Sequence, residues 1–430
     1  MPNSSSPPRR AVIVAVGSEL LSPLRADTNS LFVTARLNEL GIEVVTKLIV
    51  GDRRGDLSAA VRASLDQADL LVLTGGLGPT DDDLTRPSVA DALGLALVED
   101  PAILETIAER FARRGMAMPP VNRVQAQVPV GAAVLPNPNG TAPGLWIERG
   151  GKTIVLLPGP PREMQPMLEA ALAERLAPRA GGARLYRRLL GIAGLTESQV
   201  EQVAQPVYST WVAWDPPIST SILAAPGQIE LHLSARGASE GEAAEALDRA
   251  TSEMRAVLGR NLFSADGRPL EQVVGDLLRA RFWRIATAES CTGGLLTSRL
   301  TDIPGSSDYV DRGVVCYSNQ AKIDLLDVPG ETIARHGAVS EEVGAAMAEG
   351  VRDRAGAEVG VGITGIAGPG GGSDEKPVGT VVVAVAYPGG TRVRRFLFLG
   401  ARAQVKFQAS QAALDMVRRA LEEFLPAPGA

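Results

Sequence analysis

Twice along this chain, short aliphatic runs alternate with amphipathic stretches of ten or more residues, and that alternation restricts the fold more than any other feature. In the first half, 11–17 (AVIVAVG), 43–50 (EVVTKLIV) and 69–76 (DLLVLTGG) read as strands, with helical periodicity over 29–41 and 55–68 between them. Such a series places consecutive strands parallel, because a right-handed crossover uses the helix to return the chain to the same end of the sheet. Further strands are expected within 138–151 and 152–161, then a helix over 163–176, which ends a first domain near Ala177. The pattern returns from Pro269: a helix over 270–282, strands at 284–290, 311–318, 357–365 and 378–388, helices over 291–302 and from Ser340, and a last amphipathic helix over 403–424.

The segment 178–264 reads differently, as a small α+β module with strands at 187–194, 218–225 and 227–237, a helix over 196–208 and a long helix over 239–259. In its third strand Ile229, Leu231 and Leu233 alternate with Glu230, His232 and Ser234, so one face is expected to be wet. The expected class is therefore α/β: two three-layer α/β/α domains (11–177 and 265–430) with mainly parallel sheets, joined by the α+β module, after a disordered tail over 1–10. No internal repeat relates the two α/β domains.

At 430 residues the chain is long enough for two or three cores, and 45% apolar residues exclude disorder. A net charge of -6 without long basic runs counts against nucleic-acid binding. The turn Ala225 to Gln228 (APGQ) lacks the Gly-x-x-Gly of a KH domain, which counts against it again. Two cysteines 25 positions apart and two histidines assemble neither a disulfide framework nor a Cys/His zinc site. The start is polar and no run approaches a membrane span, so a soluble cytoplasmic protein with no membrane partner is expected.

Two dense clusters carry chemistry. TGGLGPTDDDLT (74–85) follows a strand directly; glycines there let backbone amides approach an anion, and acids beside a phosphate call for a cation. A glycine turn followed by an acidic helix start accounts for the same letters. This run, with VGSELLSPLRADTNS, PNGTAPG and LPGPPREM, resembles the molybdopterin-binding-like domain of the CinA (competence/damage-inducible protein A) family over roughly 11–170. The resemblance implies a phosphate-rich nucleotide ligand, and for some members a metal-dependent ADP-ribose pyrophosphatase. It assigns the loop to Gly75, Gly76, Gly78, Pro79 and Thr80, a divalent metal (magnesium or a transition metal) to Asp81 and Asp82, and the rest of the pocket to Glu19 and Asn29. A non-catalytic nucleotide-binding or regulatory module is the alternative.

The second cluster is AESCTGG (288–294), at a strand end. Ser290 there is a candidate nucleophile and needs a base. The histidines offer no distinctive context, whereas Lys322 in YSNQAK could be a base if burial lowers its pKa. An N-cap serine and a solvated lysine are the bland alternatives. AESCTGG, GVVCYSNQAK, TGIAGPGGGS and LGARAQVKFQAS together resemble the C-terminal domain of the same family, a nicotinamide-mononucleotide amidohydrolase, over roughly 269–424. That implies Ser290 as nucleophile, Lys322 as base, Tyr317 between them, and no cofactor for this site. It also implies substrate contacts from Cys291, Thr292, Gly293, Asn319, Thr364, Gly365, Gly368 and Gly370, a phosphate partner in Arg402, nicotinamide mononucleotide and ADP-ribose as small-molecule partners, and a homodimer. Cys291 is expected to pack rather than react, having no activating neighbour.

Overall fold

The computed structural model describes residues 8–179, 184–237 and 239–423. Of the tail expected over 1–10, residues 1–7 lie outside that description, and Arg10 already belongs to the first strand.

The N-terminal domain is built on β1 (Arg10–Val16), β2 (Glu43–Val50), β3 (Leu70–Thr74), a small pair β4 (Leu97–Glu99) and β5 (Gln127–Pro129), then β6 (Ala133–Leu135), β7 (Gly144–Arg149) and β8 (Lys152–Leu157). Six of these form one sheet in the order β2-β1-β3-β8-β7-β6, parallel from β2 to β8 and antiparallel beyond. Period-two alternation sends Val12, Val14, Leu71 and Leu73 to one face, against Leu57, Val61, Ile103 and Ile107, and sends Ala11, Ile13, Leu70 and Val72 to the other, against Val33, Leu37, Met164 and Leu168. Both faces are thus covered by helices, and the strands read as continuous aliphatic runs. Because β1, β3 and β8 are parallel, the loops after Val16, Thr74 and Leu157 leave the sheet at one edge, where open α/β sheets place their ligands.

The middle module comprises β9 (Arg184–Ile192), a helix Glu197–Tyr208 opened by a Thr196/Gln199 capping box, β10 (Ile218–Ala225), β11 (Gln228–Gly237), a helix Glu240–Leu258 and β12 (Leu262–Ser264), in sheet order β10-β11-β9-β12. Ile229, Leu231 and Leu233 are buried while Glu230, His232 and Ser234 stay partly exposed, as the alternation requires.

The C-terminal sheet runs β14-β13-β15-β16-β17, from β13 (Ile285–Glu289), β14 (Val310–Val315), β15 (Val359–Gly365), β16 (Thr380–Tyr387) and β17 (Gly390–Leu397). The pairs of β13 are parallel, and β15-β16 and β16-β17 are antiparallel. Strand β17 escapes the sequence reading because Arg392, Arg394 and Arg395 break the aliphatic signal, as suits an edge strand. Helices Leu270–Arg279 and Arg402–Glu422 pack on one face through Val274, Leu278, Ala413 and Val417, and helix Glu341–Ala355 covers the other through Val343, Met347 and Val351. The helix expected from Cys291 begins only at Leu295, since Gly293 and Gly294 hold φ of 63° and 92° and delay it by a turn.

Candidate functional site

Ser290 directly follows β13, and its amide donates to the carbonyl of Ile363 on neighbouring β15 at 2.9 Å, which fixes the residue at the strand end. Lys322 comes from helix Asn319–Leu326, whose N-cap Ser318 accepts from the Ala321 amide. Adjacent parallel strands end side by side, so the segment after β14 meets the segment after β13, and two residues 32 positions apart come into contact. Lys322 Nζ lies 3.1 Å from Ser290 Oγ, 3.0 Å from the Cys316 carbonyl and 3.2 Å from the Tyr317 carbonyl. Both side chains are buried, with Lys322 1% and Ser290 7% exposed.

Burial pushes the Lys322 ammonium below its ordinary value, against a weaker upward pull from Cys316, Cys291 and Tyr317. No carboxylate is among its hydrogen-bond partners. In the neutral amine, two N–H groups satisfy the two carbonyls and the lone pair is left to accept the Ser290 hydroxyl proton, the arrangement a general base needs. Glu289, fully buried beside Ser290, is not free for that role. Its carboxylate accepts from the Leu296 amide at 3.0 Å, and from the Thr297 amide and hydroxyl at 2.8 and 2.7 Å, so it caps the following helix.

Several expected placements are corrected. The Tyr317 side chain is 64% exposed and its hydroxyl accepts from Arg402 Nη2 at 3.4 Å, so the residue touches Lys322 through its carbonyl and does not stand between lysine and serine. The Gly293 amide donates to the Ser290 carbonyl at 3.2 Å, closing the turn. Among the described residues, the Cys291 and Thr292 amides make no backbone hydrogen bond, which leaves them available as donors. The Cys291 side chain belongs to the apolar core, and burial raises its thiol pKa to about 12, so it offers substrate only its backbone. Cys291→Ala is therefore expected to keep kcat within about twofold while costing on the order of 1 kcal/mol of stability; loss of turnover at unchanged melting temperature would contradict this. Thr364 donates its hydroxyl to the Ala338 carbonyl at 2.7 Å. Gly365 answers to sheet packing, since a Cβ there would meet the Thr380 carbonyl at 2.8 Å. Arg402 donates to the Gly368 carbonyl at 2.8 Å and so holds the 366–372 loop, where Gly370 has open space about it. Asn319 is exposed in the first turn of its helix.

In the N-terminal domain a cleft of about 350 Å³ opens at the carboxyl edge of the sheet, lined by Glu19, Gly75, Gly76, Gly78, Pro79, Thr80 and Asp82 as expected, and also by Asp52, Asp83 and Glu163. Gly75 holds φ 101° with its would-be Cβ 2.2 Å from the Val16 carbonyl, a conformation and contact that only glycine tolerates. Asp83 accepts from the Thr80 amide at 2.8 Å, which folds the acidic run inward at Asp82 and Asp83. Asp81 is exposed and off the cleft, correcting its assignment to the metal. Asn29 lines an adjoining cleft of about 440 Å³ that shares Glu19, Gly159 and Pro160, and donates to the Gly159 carbonyl at 2.7 Å. Asp83 stands three residues after Thr80 in the acidic run, whereas Asp52 comes from the loop after β2 and Glu163 from the first turn of helix Pro161–Ala171, far apart in the chain.

Five carboxylates and no lysine or arginine line the cleft. Arg86 lies beneath it, fully buried, donating to the Leu77 carbonyl at 2.6 Å, with burial pushing its pKa down to about 10 against the pull of Asp83. Among the described residues no three His, Cys, Asp or Glu side chains converge as a preformed metal cage. The donor set fits a hard cation held by one or two carboxylates and completed by ligand phosphates and water, as magnesium commonly is.

Three family models match the chain: one described as the probable molybdopterin binding domain over 12–178, the damage-inducible protein CinA KH domain over 187–264, and the CinA C-terminal domain over 267–421. The middle match corrects the argument from the missing Gly-x-x-Gly. The Ala225–Gln228 turn packs against the C-terminal helix, with Gln411 Nε2 donating to Gln228 Oε1 at 2.8 Å, and does not decide the module's kinship. A CinA-like protein of Koribacter versatilis is 47% identical over 415 residues, covering 96% of this chain and 99% of that one. A CinA-like protein of Solibacter usitatus is 44% identical over 410 residues, covering 95% and 97%. Among solved structures, the competence/damage inducible protein CihA of Agrobacterium tumefaciens matches at 41% identity over 36% of this chain and 93% of that one, with a TM-score of 0.35. No helix among the described residues is long and apolar enough to cross a membrane.

Proposed function

The chain belongs to the CinA family, and from that membership we propose that its C-terminal domain is a nicotinamide-mononucleotide deamidase and its N-terminal domain a metal-dependent ADP-ribose pyrophosphatase. The observation that carries the first activity is the buried contact of Lys322 Nζ with Ser290 Oγ at 3.1 Å. Lys322 takes the hydroxyl proton as Ser290 Oγ attacks the carboxamide carbon, and the Cys291 and Thr292 amides hold the oxyanion. The protonated lysine returns its proton to the departing nitrogen, ammonia leaves, and water, activated by the same lysine, releases nicotinic acid mononucleotide and restores the serine. Arg402 supplies a partner for the 5′-phosphate.

For the N-terminal domain, the carboxylate-lined cleft supports a ligand that arrives with a cation. One or two of Asp82, Asp83 and Glu19 would hold the metal, which would neutralise the diphosphate and polarise it toward water. The loop amides of Gly76, Leu77 and Gly78 orient the phosphates, and Glu163 also lines the cleft.

The full chain incubated with nicotinamide mononucleotide in EDTA is expected to release ammonia and nicotinic acid mononucleotide in equal amounts, and Ser290→Ala to release neither. Absence of ammonia from the unaltered protein refutes the deamidase reading. With ADP-ribose and magnesium, AMP and ribose phosphate are the expected products; tight binding without them leaves a nucleotide-binding module.

A further inference from the structure

Helix Arg402–Glu422 brings a second cation to the nucleophile loop. Lys406 follows Arg402 by four positions, so both side chains leave the same face of the helix one turn apart. Lys406 Nζ lies 3.7 Å from where a Cβ on Gly293 would stand, and Gly293, at φ 63°, is three residues from Ser290. Among the described residues the Lys406 ammonium has neither a hydrogen-bond nor an ion-pair partner, unlike other cations of this domain. Arg299 binds Glu271, Ser410 and Gln411, Arg418 binds Asp415 and Glu422, and Lys376 donates to the His336 carbonyl. A cation without a counter-charge at the nucleophile loop is stabilised when an anion pairs with it.

Resting on the amidase reading above, we infer that Lys406 and Arg402 together clamp a phosphate monoester, and that Lys406 makes the site select a phosphorylated nucleotide over the bare nucleoside. Arg402 is already committed by one nitrogen to the Gly368 carbonyl, so it fixes the phosphate's position. Lys406, with nothing else to bind, supplies the charge. A compact ammonium suits a dianionic phosphate as a point charge.

The test is steady-state kinetics of full-length Lys406→Ala and Lys406→Arg in EDTA, with inorganic phosphate and nicotinamide riboside as competitors. Lys406→Ala is expected to raise KM for nicotinamide mononucleotide and the inhibition constant of phosphate about tenfold or more, keep kcat within about twofold, and leave competition by the riboside unchanged. Lys406→Arg should recover most of the affinity. Unchanged KM and phosphate inhibition, or equal weakening of riboside and phosphate, overturns the inference. Should the unaltered chain not turn over nicotinamide mononucleotide, the amidase reading fails by itself. The clamp then stands on calorimetric titration with inorganic phosphate in EDTA, where about tenfold weaker binding to Lys406→Ala supports it and equal binding overturns it.

Discussion

Lys322→Arg is expected to abolish amide hydrolysis about as completely as Ser290→Ala, a loss on the order of 10²–10⁴-fold in kcat, the range a positioned general base contributes. Arginine stays protonated and has no lone pair to offer the Ser290 hydroxyl, whereas a lysine that merely bound an anion would tolerate it at some cost in KM. The larger guanidinium enters a space where Nζ already has three oxygen neighbours at 3.0–3.2 Å, so Lys322→Met provides a control of similar length that removes the amine without adding bulk. It should fold, with a melting temperature lowered only by the loss of the two carbonyl hydrogen bonds, and be equally inactive. The double variant Ser290→Ala/Lys322→Met should be no worse than either single, because residues acting as one unit are strongly non-additive.

The pH profile carries the sign. Burial lowers the Lys322 pKa, and the base is the neutral amine, so kcat/KM should rise as pH rises through that lowered value and level off below the ordinary lysine range. The same group binds fewer protons folded than unfolded, so its contribution to stability also grows with rising pH through that window. A Lys322→Arg enzyme that keeps most of its kcat, or a rate that falls across this limb, would sink the Ser-Lys mechanism.

The second large effect concerns two neighbouring acids. Asp82→Asn is expected to lower metal-dependent ADP-ribose hydrolysis about 10–100-fold or more and raise the metal concentration needed for half-maximal rate, since it removes a candidate ligand from the cleft wall. Asp81→Asn should stay within about twofold of the parent, being exposed and off the cleft. Both should leave amide hydrolysis unchanged, because the residues belong to separate compact units, each with its own core. Equal losses from both substitutions would place the metal elsewhere, and a joint loss of the two activities would indicate misfolding. Circular dichroism of Asp82→Asn separates that case, as Thr80 retains its bonds to Asp83.

Legibility in the sequence followed the range of the interactions. Strand–helix alternation is local, and β1, β3, β13 and β15 fall where aliphatic runs end in glycine or polar turns. Strand β17 was not legible, because an edge strand with three arginines carries no period that a core strand would show. The start of the helix after Ser290 was misread by a turn, since the choice between helix and left-handed turn at Gly293 and Gly294 depends on Glu289 folding back to cap Leu296 and Thr297. The loop residues Gly75 to Thr80 were legible as a unit because they are contiguous. Asp52, in the loop after β2, and Glu163, in the first turn of helix Pro161–Ala171 after β8, were not.

What the sequence by itself determined is the material of both sites: a serine at a strand end, a lysine five residues after a tyrosine, and a glycine loop running into acids. It also determined the parallel crossovers that bring the loops of each sheet to one edge, because handedness leaves little choice. Only the tertiary structure decided the roles within those sets. Lys322 is poised against Ser290 because helix Asn319–Leu326 buries it there, among two carbonyls and without a counter-charge, while Tyr317 turns outward to Arg402. Asp82 enters the cleft and Asp81 does not because Asp83 binds the Thr80 amide and sets the direction of the turn. Lys406 reaches the nucleophile loop because helix Arg402–Glu422 packs beside it, across more than a hundred residues of chain. Local pattern specifies elements, but burial and partner geometry, which depend on residues far apart in the chain, specify which identical side chain is a base, a clamp or a cap.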